Sequence, residues 1–397
     1  MKKAQPLFFN HPHFREYWNS GNGKELLDWA NISVNIRDFD QYAHLYHEID
    51  ELADETVKET YLKLPYPEAS KLIRLCSGKN FPIDPVIPES VNRLFLQMRE
   101  VPAWFNPNLA NKGARLCMRT GTNALIVLRD FTLMGGYDYA FLNKPLIFTG
   151  ALKKGAVKRL KDTLEFWIGV TRENALEVGS DAYQLIVRTR LMHSYARLNI
   201  QQHVQNWDFE RWGSPLNFWD MIATYTGFSL VFLQGLKKLG IKISEEEEIG
   251  LFHLWKYVGY LLGIPVPYLP ENRQQSVRQL YLWSATQDKA DGDSTQLAKA
   301  LLDENIENTI YKYQFQRKLL LNLHKSMNWF MLDAKINARL GIQRVSLAKI
   351  FPYLVVGANR ISQQIFNTEN EERYQKLVSV GNRQQLNVLR DYMENTP

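Results

Sequence analysis

His193 is the first residue whose surroundings suggest chemistry. It lies on a Leu-, Ile- and Val-rich stretch between Arg190 and Arg197. Residues three and four apart share a helix face, so one guanidinium precedes the imidazole by a turn and the other follows it by a turn. Like charge disfavours the imidazolium, which keeps the ring neutral. A neutral imidazole is the form that binds a metal. Haem would use all three side chains, with the imidazole on iron, the guanidiniums on the propionates and apolar helices around the macrocycle. On spacing alone, the simpler reading is a core histidine hydrogen-bonded to a neighbouring backbone group.

Other clusters carry less. His44 and His47 stand one turn apart beside Glu48 and Asp50, but no facing helix supplies further ligands, and the pair reads as a solvated helix face. The four glutamates from Glu245 to Glu248 follow Ser244, and Ser244 with Glu247 forms a capping box whose carboxylates suit the positive end of a helix dipole. Asp288 to Ser294 is a polar turn without the oxygen spacing of a calcium loop. Gly21-Asn22-Gly23-Lys24 lacks the third glycine and the preceding strand of a dinucleotide loop, and neither a P-loop nor a Gly-x-Ser-x-Gly elbow occurs. Two cysteines, Cys76 and Cys117, exclude a disulfide framework and a zinc cluster.

The elements that must position these residues read as helices, because apolar residues recur at three and four rather than alternating. Helices are expected over about Asp40 to Leu64, Pro88 to Arg99, Leu109 to Met134, Lys154 to Val170, Ser180 to His203, Phe218 to Leu239 and Glu245 to Leu262, with several more between Arg273 and Leu389. The last thirty residues turn polar and are expected to pack loosely. The fold class is all-α, a single large multi-helix domain enclosing its cofactor. Three segments are expected within it: residues 1–84 as a helical extension, 85–275 as the core and 276–397 as a C-terminal region packing on the core.

Composition sets the limits. The 397 residues are 45% hydrophobic and include 19 Tyr, 20 Phe and 10 Trp, which excludes a disordered chain and can line a large apolar cavity as well as fill a core. Lys and Arg exceed Asp and Glu by 48 to 42, a mild surplus that lies beyond residue 100, where no basic motif of a nucleic-acid binder appears. The apolar stretches Met221 to Leu236 and Leu251 to Leu269 are too short or too interrupted to span a bilayer. Peripheral membrane contact through Leu251 to Leu269 and the basic run Lys153, Lys154, Lys158, Arg159 and Lys161 is a minor alternative. The basic N-terminus is not followed by a signal-peptide apolar run, so a cytoplasmic location is expected.

The ordered motifs of residues 149 to 265 add a resemblance. Thr149-Gly150, then Arg159-Leu160-Lys161-Asp162-Thr163, then His193-Ser194-Tyr195-Ala196-Arg197 stand in order, followed by Pro215-Leu216-Asn217, Leu239-Gly240-Ile241 and Trp255-Lys256-Tyr257-Val258-Gly259 running on to Pro265. Together they resemble the haem-dependent oxygenase family that contains the latex-clearing rubber oxygenases and the fungal MpaB-type oxygenases, over roughly residues 85 to 275. The resemblance implies a b-type haem with His193 as its axial iron ligand, Arg159 and Thr163 on the distal side, and Arg197 near the propionates with Arg190 flanking.

The sequence also departs from the rubber-cleaving branch. Where those enzymes resemble one another in a lysine just before the distal threonine, this chain has Asp162, with Lys161 turned away by ~100°. An acidic residue implied some sixteen positions before the arginine is replaced within Leu142-Asn143-Lys144-Pro145. Polyisoprene is therefore not the expected substrate. The expectation is an oxygenase or oxidoreductase using dioxygen or a peroxide on a small apolar, unsaturated terpenoid- or lipid-like molecule. Arg159 and Thr163 would serve as hydrogen-bond donors, and Asp162 as a proton relay or a solvent-facing side chain. A non-catalytic α-helical haem or lipid carrier is the alternative.

Overall fold

Ser180, itself extended, accepts a hydrogen bond from the Tyr183 amide, which starts the 23-residue helix Asp181–His203. The same capping chemistry sets the other helices around it. Asn106 caps Pro107–Arg119, Asn217 caps Phe218–Thr226, and Ser244 with Glu247 forms the expected capping box of Glu245–Leu261. The computed structural model describes residues 7–81, 86–150, 155–346, 348–365 and 370–395; Lys153 and Lys154 of the basic run lie outside them. Among the described residues the chain is all-α. Extended pairing is confined to one isolated bridge between Tyr139 and Lys289.

Two glycines bring the central helices together. Gly113 of Pro107–Arg119 and Gly250 of Glu245–Leu261 meet backbone to backbone, and a Cβ on Gly113 would stand 2.4 Å from the Gly250 carbonyl oxygen. Next to this crossing, Arg119 and Glu247 form a buried ion pair (Nη2 to Oε2, 2.8 Å), to which Tyr374 donates its hydroxyl. One apolar cluster runs through the molecule from Phe14 to Ile342.

The C-terminal residues do not pack loosely. Helix Glu371–Asn395 sets Gly381 against the Met118 carbonyl and buries Gln385, whose amide donates to the Cys117 and Gly121 carbonyls and accepts from Arg172. Its polar surface pattern hid one buried stripe.

The other departures from expectation are breaks in long helices. The stretch expected as one helix over Asp40 to Leu64 is two 3-10 turns, Ile36–Gln41 and Ala43–Tyr46, followed by Glu51–Glu59. Asp50 starts that helix by accepting from the Ala53 amide. The stretch from Leu109 to Met134 breaks at Gly121, where φ is +53°. Beyond it, the helix widens into a π-helical segment, Val127–Leu133, and a second one, Gly227–Val231, interrupts the helix that starts at Phe218. The two wide turns pack together. A Cβ on Gly227 would lie 3.1 Å from Thr132 Cγ2, and one on Gly235 would lie 2.4 Å from Val127 Cγ1. π-helical turns concentrate at functional sites, and both of these line the same cavity.

No helix among the described residues is long and apolar enough to cross a membrane. Leu251, Phe252, Leu254 and Trp255 are core residues, so the Leu251–Leu269 segment offers no apolar face to a bilayer.

Candidate functional site

The cavity between these helices has a volume of about 1930 Å³. Small-ligand pockets usually enclose ~300–1,000 Å³, so this one can hold a large planar group and a second molecule. The two apolar stretches Met221 to Leu236 and Leu251 to Leu269 both contribute to it: Ala223, Phe228 and Val231 from one, Trp255, Val258 and Leu262 from the other.

His193 lies in the wall. Burial, reinforced by the nearby Arg197 charge, pushes its pKa down to about 4, against a weaker opposing pull from Asp50. The ring is therefore neutral at physiological pH. Its Nδ1 is buried and has no hydrogen-bond partner among the described residues. A buried ring nitrogen without a partner costs free energy, and a ligand that met it would recover that cost.

Arg190 and Arg197 do not reach the cavity wall. Arg197 is bidentate to Asp54 (2.6 and 3.0 Å) and also donates to Ser194 Oγ, the Asp50 carbonyl and the Leu216 carbonyl. Arg190 holds Asp50 through Nε and Nη2 (2.6 and 3.1 Å) and donates to Gln97 and the Leu261 carbonyl. Gly263, with φ +84°, makes room for that pair, since a Cβ there would stand 2.4 Å from Asp50 Oδ2. Both guanidiniums thus tie the histidine helix to the start of Glu51–Glu59.

Arg159, Asp162 and Thr163 share the first turns of helix Ala156–Val170 and line the cavity together. The Arg159 guanidinium lies 5.6 Å from the centre of the Tyr137 ring, a buried phenol also in the wall. Burial raises the Tyr137 pKa, and the arginine's charge only partly offsets that. Thr163 donates to the Arg159 carbonyl at 2.9 Å, which leaves its oxygen lone pairs available to the cavity. Asp162 is exposed, at the solvent side of this group.

Sequence reasoning missed Asp220. It is buried in the cavity wall on helix Phe218–Thr226, with Oδ1 accepting from Trp283 Nε1 and Oδ2 from Asn217 Nδ2, both at 2.9 Å. Desolvation outweighs these two bonds and lifts its pKa from 3.8 to about 6. The signal available in the sequence was Asn217 followed three residues later by an acid, which reads as a helix cap and conceals the carboxyl's second role. Asn143, at the position of the implied upstream acid, is a buried amide that donates to the Tyr137 carbonyl and Ser294 Oγ. Lys144 is held by Asp291 and Asp293. His44 donates to or accepts from the Tyr268 hydroxyl at 2.8 Å. No cluster of His, Cys, Asp and Glu suited to a metal ion occurs among the described residues.

An all-α fold around an apolar cavity, with a neutral histidine and an arginine–threonine turn in its wall, defines a class that sequence comparison identifies. The family model for the catalytic domain of the ER-bound oxygenase mpaB/B' and rubber oxygenase matches residues 124–358. That span is more than half of the chain and runs past residue 275, and the chain belongs to this family. It is an oxygenase. A solved structure of latex clearing protein LCP in the closed state resembles it with a TM-score of 0.56, over 84% of this chain and 91% of that one, at 14% identity, which is a likeness of fold. No curated protein sequence matches the chain.

Proposed function

We propose that this oxygenase binds haem b through His193 and oxidises a small apolar, unsaturated molecule with dioxygen or a peroxide. The observation that carries the reading is the neutral, partly buried imidazole, its buried Nδ1 without a partner, in the wall of a cavity of about 1930 Å³. A neutral ring is what iron binds, and the apolar wall suits a macrocycle. Haem, when bound, supplies the electron-transfer and oxygen chemistry that the side chains cannot.

The chain's own residues do the rest. Arg190 and Arg197 hold the histidine helix in place through Asp50 and Asp54, a positioning role that replaces the propionate contacts expected of them. Among the cations that line the cavity, Lys71, Arg74 and Arg188 are available to a cofactor carboxylate. Arg159 brings a fixed positive charge that favours negative charge developing on oxygen, while Thr163, whose hydroxyl proton is held by the Arg159 carbonyl, offers the cavity an acceptor. Asp162 stands at the exposed edge of this group, placed as a relay between cavity and solvent. Asp220, protonated through mildly acidic pH and ionised above it, holds or releases a proton inside the cavity, in the part of an acid–base group that Asn143 cannot play.

An absorption spectrum of the purified protein and of His193→Ala tests the assignment, with a pyridine extract to name the haem. A Soret band that disappears in the variant is the expected result. A chain that acquires no Soret band when haem is supplied during expression would refute the reading.

A further inference from the structure

A surface helix normally turns polar residues outward. Helix Phe351–Ile365 does not. Its inner side is anchored, with Phe351 and Val355 packed on the core and Asn359 donating to the Leu239 carbonyl. Its outer side carries Tyr353, Leu354 and Ile361, exposed by 67, 65 and 58%, with Ile350 just before the helix at 66%. Ile350, Leu354 and Ile361 are spaced by four and seven residues and so share one face.

Helix Gln314–Met331 continues this surface. Phe315 and Leu319 are exposed by 68 and 55%. Phe315 and Ser326 are eleven residues apart, three turns, and therefore on one side of the helix. Ser326 donates to the Ala348 carbonyl at 2.6 Å, which holds the approach to Phe351–Ile365 against this helix about two turns beyond Leu319.

The charge on this part of the chain is one-sided. Residues 308–365 contain nine Lys or Arg against one acid, Asp333. Lys335 and Arg339 pair with Glu16 and Asp138 on another side of the molecule. Among the described residues the other seven, including Lys318, Lys325, Lys349 and Arg360, form no ion pair, and Arg344 lies over the Trp329 ring at 4.3 Å. Exposed aliphatic and aromatic side chains with a cation next to them in the chain, as Lys318 beside Leu319, Lys349 beside Ile350 and Arg360 beside Ile361, match the boundary of an anionic bilayer, where apolar groups enter the headgroup layer and Lys and Arg meet lipid phosphates. A second copy of the chain would present the same positive charge and be repelled.

We propose that the face formed by Gln314–Met331 and Phe351–Ile365 docks on anionic membrane surfaces. This surface is distinct from the buried Leu251–Leu269 segment, and its test involves no turnover and no haem. The full-length protein is floated with vesicles of phosphatidylcholine alone and of phosphatidylcholine mixed with phosphatidylglycerol. It is expected to rise only with the anionic vesicles and to be released by high salt. Ile350→Asp with Leu354→Asp should abolish binding, and Lys318→Gln or Lys349→Gln should each weaken it roughly fivefold. Leu75→Asp, at an exposed apolar residue elsewhere, is the control that should still float. The proposal is overturned if the wild-type protein stays unbound with anionic vesicles, if neutral vesicles bind it equally, or if Leu75→Asp abolishes flotation as well. It is also overturned if light scattering finds a dimer that Leu354→Asp splits and vesicles do not bind.

Discussion

At the scale of single residues, Asp220 gives the sharpest pH signature. Its folded-state pKa is raised from 3.8 to about 6. Below that interval the carboxyl is protonated in both folded and unfolded chains. Across it, the unfolded chain ionises first, so the folded state loses up to about 3 kcal/mol as pH rises, and nothing further above it. The stability difference between the wild-type protein and Asp220→Asn, measured by urea denaturation at several pH values, should shrink over this window as pH rises. A difference that is flat with pH would show that Asp220 titrates normally. The same variant should retain its haem spectrum and change the pH dependence of oxygen consumption. Arg159→Ala with Thr163→Ala should also leave the Soret band in place and lower oxygen consumption by about a hundredfold or more; unchanged turnover would remove both residues from the chemistry.

At the scale of elements, the joints between helices govern where His193 stands. Removing one partner of a buried ion pair strands the other charge, so Arg197→Ala should destabilise the fold by about 3–5 kcal/mol, read from urea unfolding. Gly250→Ala forces apart two backbones in contact and should cost roughly 1–3 kcal/mol by the same measurement. Sequence pattern revealed helices such as Asp181–His203 and Glu245–Leu261 almost to the residue, because their caps are local and their apolar faces periodic. It did not reveal the breaks at Asp50 and Gly121, which depend on partners distant in sequence, Arg190 and the Glu371–Asn395 helix. His193, Arg159 and Thr163 were legible as a constellation. Asp220 and Tyr137 were not, since an acid at a helix start and a tyrosine after two glycines have ordinary local explanations. The use of Arg190 and Arg197 as joints was hidden too, because Asp50 and Asp54 lie some 140 residues away.

At the scale of the whole molecule, a cavity of this size makes stability depend on what fills it. A ligand that binds only the folded state at a hundredfold excess over its Kd adds about 2.7 kcal/mol, which for 397 residues corresponds to a rise in melting temperature of about 3 °C. Haem titrated into apoprotein should produce such a rise, and His193→Ala should reduce it; equal shifts in both would place the haem elsewhere. The two π-helical turns set another global condition. Each amounts to a residue inserted into an otherwise regular spiral, and deleting one residue from Gly227–Val231 would let that helix rewind to the α form. The part beyond it would then rotate by about 100° relative to the part carrying Asp220. Gln234, which now donates to the Asn22 carbonyl, and Asp220, which now receives Trp283, could no longer both keep their partners. Chain length in this segment is therefore held fixed by two anchors at once, and an alignment gap here would signal a differently built pocket.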